Sequence, residues 1–301
     1  MRIAALDIGG TAIKYGVWEA GQLTGLSECP TPVTCTKDLI SEILNIVQAM
    51  ENLDALGIST RGQVDGSGKI LYDNGPIVDY TGTPLKTILE EALAIPVWVE
   101  NDVNAAAWGE ACCGAGLGQS DFLCLTYGTA VGGAIILNGQ LYKGANWSAG
   151  EFGSMQLFSQ KPAWQGFGGA YYENMASTTA LVRAAQAINP ALQNGRQVCQ
   201  CMDDPRLLPV LEQWISNVSY GLSTLVHIFN PGLIVLGGGL MQNEEIFRRI
   251  CDCTMSQLMP GFECVQLKPA KLGNSAGMIG AAMLAKDAVL NNKKPLWAGF
   301  Q

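Results

Sequence analysis

The chain has 301 residues and a mass of 32.0 kDa, with 48% apolar and only 15% charged residues. That composition excludes a disordered chain and leaves room for two ordinary domains, each with a core. A net charge of -8 and a pI near 4.7 argue against nucleic acid and against an anionic membrane surface as partners. One histidine, His227, excludes any site that needs two or three imidazoles.

The opening reads as strand, turn, strand, turn, strand. Ile3 to Ile8 is a strand, Gly9-Gly10-Thr11 a turn, Ile13 to Trp18 a second strand, and Glu19 to Gln22 a hairpin turn. Apolar positions 39, 40, 43, 44, 47 and 50 predict a helix over 37–50, with Lys37-Asp38 at its start. A strand at Ala55 to Ser59 leads into a Gly/Asp-rich loop over 61–76. Then follow a helix from Pro84 to Leu93 opened by Thr83, a strand from Pro96 to Glu100, and a helix from Asn104 to Cys113 closed by Gly114 and Gly116.

The pattern restarts with strands at Phe122 to Thr126 and Gly132 to Leu137, the latter ending at the hairpin signal Asn138-Gly139. Leu6-Asp-Ile-Gly-Gly-Thr-Ala12 and Leu125-Thr-Tyr-Gly-Thr-Ala130 both turn a strand on Gly and Thr, a weak sign of two related halves. Helices are predicted at Thr178 to Ile188, Leu207 to Phe229, Glu244 to Leu258 and about Ser275 to Leu290, with a buried strand Leu233 to Leu236 running into Gly237-Gly238-Gly239. Asn291 to Gln301 reads as a loose tail or a cap.

Ten cysteines, none in a C-x-x-C pair, and an N-terminus that reads as a strand rather than an export signal lead to reduced, mostly buried thiols and a cytoplasmic protein. Residues 122–142 and 213–243 carry no charge, but Gly128, Gly132, Gly133 and Asn138-Gly139-Gln140 break the first and Asn230-Pro231-Gly232 the second. Neither offers the roughly 20 continuous apolar residues of a spanning helix.

The sequence holds neither G-x-x-x-x-G-K-[ST] nor G-x-G-x-x-G, so it is not a P-loop protein and lacks the dinucleotide fingerprint. Its two Gly/Thr turns either close hairpins or present backbone N–H groups to phosphate oxygens, with Thr11, Thr129 and Lys14 adding donors. Asp7, at the end of a buried strand, is either a turn cap or a carboxylate for Mg²⁺. Asp102 is either the cap of the following helix or a general base for a substrate hydroxyl. Glu151 sits between Gly150 and Gly153, where an acid can bind sugar hydroxyls. His227 reads as structural, and Trp147 and Trp164 as either sugar walls or core lids.

These motifs together resemble the ROK sugar kinases, a branch of the actin, Hsp70 and hexokinase ATPase fold, from Ile3 to about Ala285. Asp7-Ile-Gly-Gly-Thr-Ala-Ile-Lys14 is similar to the family's first phosphate motif, with Asp7, Gly9, Gly10, Thr11 and Lys14 as its binding residues. Gly128-Thr-Ala-Val-Gly-Gly133 is similar to the second, through Gly128, Thr129, Ala130 and Gly132. Val99-Glu-Asn-Asp102-Val-Asn104 resembles the catalytic segment, and Leu236-Gly-Gly-Gly239 and Ser275-Ala-Gly277-Met-Ile-Gly280 the adenosine-side segments, through Gly238, Gly239, Ala276 and Gly277.

The resemblance implies an α/β fold of two actin-like (ribonuclease H-like) domains around a central cleft. The small domain would span 1–115, completed by about 275–301, and the large one 116–274. It implies an ATP- and Mg²⁺-dependent kinase in which Asp102 deprotonates a hexose-type hydroxyl, usually the 6-hydroxyl, with Mg²⁺ near Asp7 through water. Asn74, Gly75, Asn101, Glu151, Ser154 and Glu173 are the implied sugar contacts, and a homodimer is implied. Typical members follow the Gly-Glu-x-Gly segment with a His and a cysteine cluster for structural zinc. Here Ser154 stands in place of the His, and Gln156 to Tyr172 holds no Cys, so no structural zinc is expected. Trp164, Phe167, Tyr171 and Tyr172 are candidates to hold the Glu173 loop instead. β-Glucoside or N-acetylmannosamine kinase activity fits this zinc-free pattern, and a non-catalytic sugar or nucleotide sensor is the alternative of a different class. A repressor is not expected, since only six residues precede Asp7 and a repressor would carry a helix-turn-helix ahead of it.

Overall fold

A computed structural model describes residues 1–157 and 170–291. The chain forms two compact units, one made of Met1–Leu117, Lys143–Ala149 and the chain from Asn274, the other of Gly118–Tyr142 and Gly150–Gly273.

In the first unit the elements run β1 (Ile3–Ile8), β2 (Ala12–Glu19), β3 (Gln22–Pro30), α1 (Thr36–Gln48), β4 (Ala55–Thr60), β5 (Gln63–Val64), β6 (Ile70–Tyr72), α2 (Leu85–Leu93), β7 (Val97–Asn101) and α3 (Asp102–Cys113). The main sheet has the order β3-β2-β1-β4-β7. β1 pairs antiparallel with β2 and parallel with β4, and β7 extends the parallel side. β1 and β4 lie inside the sheet, so their apolar residues are buried on both faces and read as continuous runs. β3 is the exposed edge and is correspondingly polar. Leu39, Ile43 and Val47 of α1 and Leu85 and Leu89 of α2 bury a helical stripe against this sheet, packing with Leu6, Ile8 and Ile58.

The second unit runs β8 (Phe122–Tyr127), β9 (Val131–Leu137), β10 (Gln140–Leu141), α4 (Glu173–Ala176), α5 (Thr178–Gln186), α6 (Gly195–Gln200), α7 (Leu208–Phe229), β11 (Leu233–Gly237), α8 (Glu244–Ser256) and β12 (Gln266–Pro269). Its sheet, β10-β9-β8-β11-β12, repeats the first: an antiparallel hairpin pair, then two parallel strands. The two sheets share one strand order, which is the actin-like arrangement.

The last helix, α9 (Ala276–Asn291), belongs to the first unit and packs on β1, β4 and α3. Contact there is close enough to require glycine. A Cβ on Gly57 would lie 2.3 Å from the Ala281 carbonyl oxygen, and one on Gly280 1.6 Å from that of Ala105.

Four features differ from the sequence reading. The 61–76 segment contains the β5–β6 hairpin, because Val64 and Ile70 are buried and Asp65 Oδ1 accepts N–H bonds from Ser67 and Lys69 across the turn. Thr83 does not cap α2: Pro84 holds that position, and Thr83 Oγ1 donates to the Asp79 carbonyl. The cysteines are free but not mostly buried; only Cys124 is, while Cys113 and Cys264 are exposed and seven are intermediate. α4, α6, β10 and β12 were not foreseen, being too short for a periodic pattern to register. Among the described residues no helix is long and apolar enough to cross a membrane.

Candidate functional site

In the first unit the turn between β1 and β2 is fixed by three bonds. Gly9 N–H donates to the Ala12 carbonyl, Thr31 N–H to the Thr11 carbonyl, and Thr31 Oγ1 to the Gly9 carbonyl. The carbonyls are thereby used, while the N–H groups of Gly10 and Thr11 find no partner among the described residues. Asp7, one residue before the strand end, accepts from Ser59 Oγ at 2.7 Å. Burial raises its pKa, and the Ser59 bond and the Lys14 charge oppose that rise. Lys14 is its cross-strand partner in the β1–β2 register. Gly277 at the start of α9 also lies here: a Cβ would come within 2.7 Å of Ser59 Oγ and 3.2 Å of Asp7 Oδ1.

Where β7 gives way to α3, Asp102 is not the helix cap. The cap is Asn101, whose Oδ1 accepts from the N–H groups of Val103 and Asn104 at 3.0 and 3.1 Å. Asn101 Nδ2 donates to the Gly62 carbonyl and to Asp102 Oδ1, so every polar atom of this expected sugar contact has a protein partner. Asp102 is the first helical residue. Its Oδ1 accepts from Val103 N–H and Asn101, and its Oδ2 accepts nothing from the described residues. The side chain remains accessible to solvent and keeps part of its hydration. Surrounding protein nevertheless displaces enough water, with the Asp7 charge adding to it, to push the pKa up to about 6. The helix N-terminus and Arg61 oppose that rise.

Beneath Asp102 a buried ion pair fixes the strand end. Glu100 accepts from Lys143 Nζ at 2.9 Å, from Asn104 Nδ2 and from Asn101 N–H, and both charged side chains are almost wholly buried. Lys143 Nζ also lies 5.3 Å from the Trp147 ring centroid, so Trp147 packs over this pair. Asn74 is exposed; Gly75 N–H donates to Asp73 Oδ2, and Asp73 Oδ1 holds Arg61 Nε at 2.6 Å.

In the second unit the β8–β9 turn is built alike. Gly128 N–H donates to the Ala130 carbonyl, Thr179 N–H donates to the Gly128 carbonyl, and Thr129 and Ala130 are exposed. Gly132 continues into β9. Gly238, at φ 109°, lies directly against this turn, since a Cβ there would sit 2.2 Å from the Tyr127 carbonyl oxygen; Gly239 follows it, exposed. Ser154 is exposed beside Glu151. Glu173 is half-buried; burial raises its pKa, and the Glu151 carboxylate adds to the rise. The sequence thus places two acids near each other here, as a pair that sugar hydroxyls could bridge.

Tyr172 holds the Glu173 segment. Fully buried, it shares a 2.8 Å hydrogen bond with Tyr127 Oη, donates to the Val218 carbonyl, and packs edge-on to the Tyr127 ring. Gly221 on α7 makes room for it. Tyr171 bridges to Gln156, whereas Trp164 and Phe167 lie outside the described residues, as does the 291–301 tail beyond Asn291. His227 is structural: Nε2 accepts Met259 N–H and the ring meets Phe262 edge-on.

The structure therefore gathers Asp7, Gly9, Gly10, Thr11, Lys14, Gly75, Asn101, Asp102, Ala276 and Gly277 in one unit, and Gly128 to Gly132, Glu151, Ser154, Glu173, Gly238 and Gly239 in the other. Sequence reasoning missed Ser59, Arg61 and Lys143. Ser59-Thr60, two hydroxyls at the end of an apolar strand, was the available signal for the first; nothing in the local pattern marked Lys143.

A family model described as ROK family matches residues 3–288. A β-glucoside kinase of Listeria innocua is 33% identical, over 93% of this chain and 96% of the relative. A ROK hexokinase structure from Thermus thermophilus superposes with a TM-score of 0.84 at 31% identity, covering 97% of this chain and all of that one. The structure of a ROK family glucokinase from Streptomyces griseus, in complex with glucose and AMPPNP, gives 0.82 at 30% identity, covering 95% and 100%.

Proposed function

This chain belongs to the ROK family and is an ATP-dependent sugar phosphotransferase like its named relatives, and on that premise we propose that Asp102 is the general base that readies a hexose-type hydroxyl, the 6-hydroxyl, for attack on the γ-phosphate of ATP. The observation that carries the reading is Asp102 itself. Its neighbour Asn101 caps the helix, leaving Oδ2 open, and its pKa near 6 suits a base working near neutral pH.

In this reading the hydroxyl proton passes to Asp102 as the sugar oxygen forms its bond to phosphorus and the bond to the β,γ-bridging oxygen breaks, its electron pair leaving with ADP. Gly10, Thr11 and Lys14 bind phosphate oxygens from one turn; Gly128, Thr129, Ala130 and Gly132 do so from the other, with Gly238, Gly239, Ala276 and Gly277 on the nucleoside side. Glu151, Glu173, Ser154, Asn74 and Gly75 recognise the sugar, while Asn101, its side-chain donors and acceptors all engaged by the protein, positions Asp102 rather than binding the sugar as the resemblance implied.

Asp7 fits Mg²⁺. Its second carboxylate oxygen accepts no hydrogen bond from the described residues, and among those residues no cluster of three or more metal-binding side chains exists to cage a cation. Mg²⁺ keeps its waters and takes few carboxylates alongside substrate phosphates, so a single Asp beside a phosphate turn suits it. When bound, the cation neutralises charge on the phosphate oxygens. The segment from Gln156 to Tyr172 contains no cysteine, so the protein carries no structural zinc in this proposal; one zinc per chain by elemental analysis would overturn that. β-Glucoside and N-acetylmannosamine kinase activities remain the favoured specificities. A cytoplasmic homodimer belongs to the same proposal and is tested by solution mass and fractionation.

The experiment is a coupled ADP-release assay over glucose, N-acetylmannosamine, fructose and cellobiose, with Asp102→Asn beside the wild type. The expected result is turnover of at least one sugar and a loss of about 10²–10⁴ in kcat for the variant. Equal rates would remove Asp102 from the role, and no turnover on any sugar would favour the sensor.

A further inference from the structure

We propose that Arg61 is a further catalytic residue of the phosphoryl transfer, its two Nη groups holding oxygens of the phosphoryl group as it moves to the hydroxyl beside Asp102. The proposal rests on the phosphotransferase reading above and adds to it a residue that no motif supplied.

Arg61 follows β4, and its N–H donates to the carbonyl of Ile8, the residue that leads into the first turn. Three features then fix the guanidinium. Nε donates to Asp73 Oδ1 at 2.6 Å, and the Asp73 side chain is only 1% exposed. Asp73 is itself held, its Oδ2 by Gly75 N–H and its own N–H by Thr81 Oγ1. Gly75 makes room for the planar group: a Cβ there would lie 1.9 Å from Arg61 Cζ and 2.3 Å from Nη2. On the other side, a Cβ on Gly10 would lie 2.9 Å from Nη1. The guanidinium thus sits between the phosphate turn and the Asp73–Gly75 segment, and its charge is felt at Asp102.

A purely structural arginine would spend its fork on the protein. Here Nε alone is spent. Neither Nη group has a hydrogen-bond partner among the described residues, and the side chain is 26% exposed. Four N–H donors in fixed geometry are left next to the turn, which is the arrangement that suits phosphate oxygens. Charge on the three peripheral oxygens of the transferring group is what such donors stabilise, while the bond changes are those given above.

The test compares Arg61→Ala, Arg61→Lys and Gly75→Ala in the full chain, on a sugar the wild type turns over. Expected for Arg61→Ala is a kcat loss of about 10²–10³ with the sugar KM changed less than about threefold. Guanidinium ion added at millimolar concentration restores part of that rate, and ADP with aluminium fluoride, a phosphoryl mimic, binds more weakly while ADP alone does not. Arg61→Lys keeps more activity than Arg61→Ala, and Gly75→Ala, which denies the guanidinium its place, loses kcat even if Arg61→Ala fails to fold. The acid limb of the pH–rate profile moves upward in Arg61→Ala, because the nearby positive charge is gone. Unchanged kcat, absence of rescue, or an effect confined to the KM of sugars bearing an acid group would overturn the proposal while leaving the kinase reading intact. Wild-type inactivity on every sugar would overturn both.

Discussion

Both sheets put an antiparallel hairpin beside two parallel strands and end the hairpin in a Gly/Thr turn, but the side chains packed around the strand ends differ in chemistry between the two units. The first uses charge: Asp7 with Lys14 and Ser59, Arg61 on Asp73, and Lys143 on Glu100. The second uses neutral hydroxyls and aromatic packing: Tyr127 with Tyr172 and the Val218 carbonyl, and Thr178 Oγ1 on the Tyr127 carbonyl. At the position of Asp7, next to last in β1, the second unit has Thr126, next to last in β8. One strand order therefore tolerates two kinds of support, and the charged one surrounds Asp102, the base proposed above.

The largest test of that contrast is in stability. Lys143→Met leaves Glu100 buried without its cation and is expected to cost about 3–5 kcal/mol, whereas Tyr172→Phe removes one hydroxyl network and should cost about 1–3 kcal/mol. Denaturant midpoints measure both, and an equal cost would remove the distinction between the two supports.

Next comes activity. Asp7→Asn is expected to lower kcat about 10²–10³-fold, Thr126→Val less than about tenfold. Comparable losses would mean that the two turns share the phosphate chemistry evenly.

A third test concerns the turns as backbone. Gly238→Ala meets a positive φ and a carbonyl at 2.2 Å, and should destabilise by about 1–3 kcal/mol, while Gly128→Ala meets nothing within 4 Å and should cost under about 0.5 kcal/mol. Thermal midpoints separate the two.

The smallest effect is electrostatic. The pKa of Asp102 is raised from 3.8 to about 6 in the folded state. The folded protein thus favours the protonated acid: this contribution is fully present below pH 3.8 and is lost as the pH rises through about 6. Asp102→Asn removes the penalty and should stabilise the protein by about 1 kcal/mol at pH 7.5, the figure being reduced because solvent reaches the side chain. At pH 4 the gain should nearly vanish, as paired melts at the two pH values will reveal. With Asp102 as the proposed base, kcat/KM of the wild type is expected to show an acid limb, falling tenfold per pH unit below about 6.

What the sequence disclosed follows from how local each signal is. β1, β4 and β11 declare themselves as short uninterrupted apolar runs, and α1 by its spacing of buried positions. Asp102 was singled out with the helix cap as one of its readings, and the structure gives the cap to Asn101 instead, because a cap is decided by backbone angles that either residue accepts. Tyr172 was among the residues expected to hold the Glu173 loop, and the hydroxyl chain it joins spans 45 residues to Tyr127 and 46 to Val218, beyond any pattern of neighbours. Arg61 was invisible for the same reason. Its meaning depends on Gly10 and Gly75, and a residue that tolerates no Cβ looks, in a list of 36 glycines, like any other turn. The cysteines were misjudged because residue type was made to stand for burial, and intermediate exposure is a property of the packed surface.

The place of α9 in the chain has a consequence for biosynthesis. Gly57 in β4 and Ala105 in α3 are covered by residues 280 and 281, which leave the ribosome after every strand of both sheets. The second unit, whose residues end at Gly273, can be completed while the first still shows an uncovered sheet face. During that interval the nascent chain carries a sticky apolar surface that only its own last helix will hide, so this is the stage at which a chaperone would matter most and at which a stalled or clipped chain would aggregate.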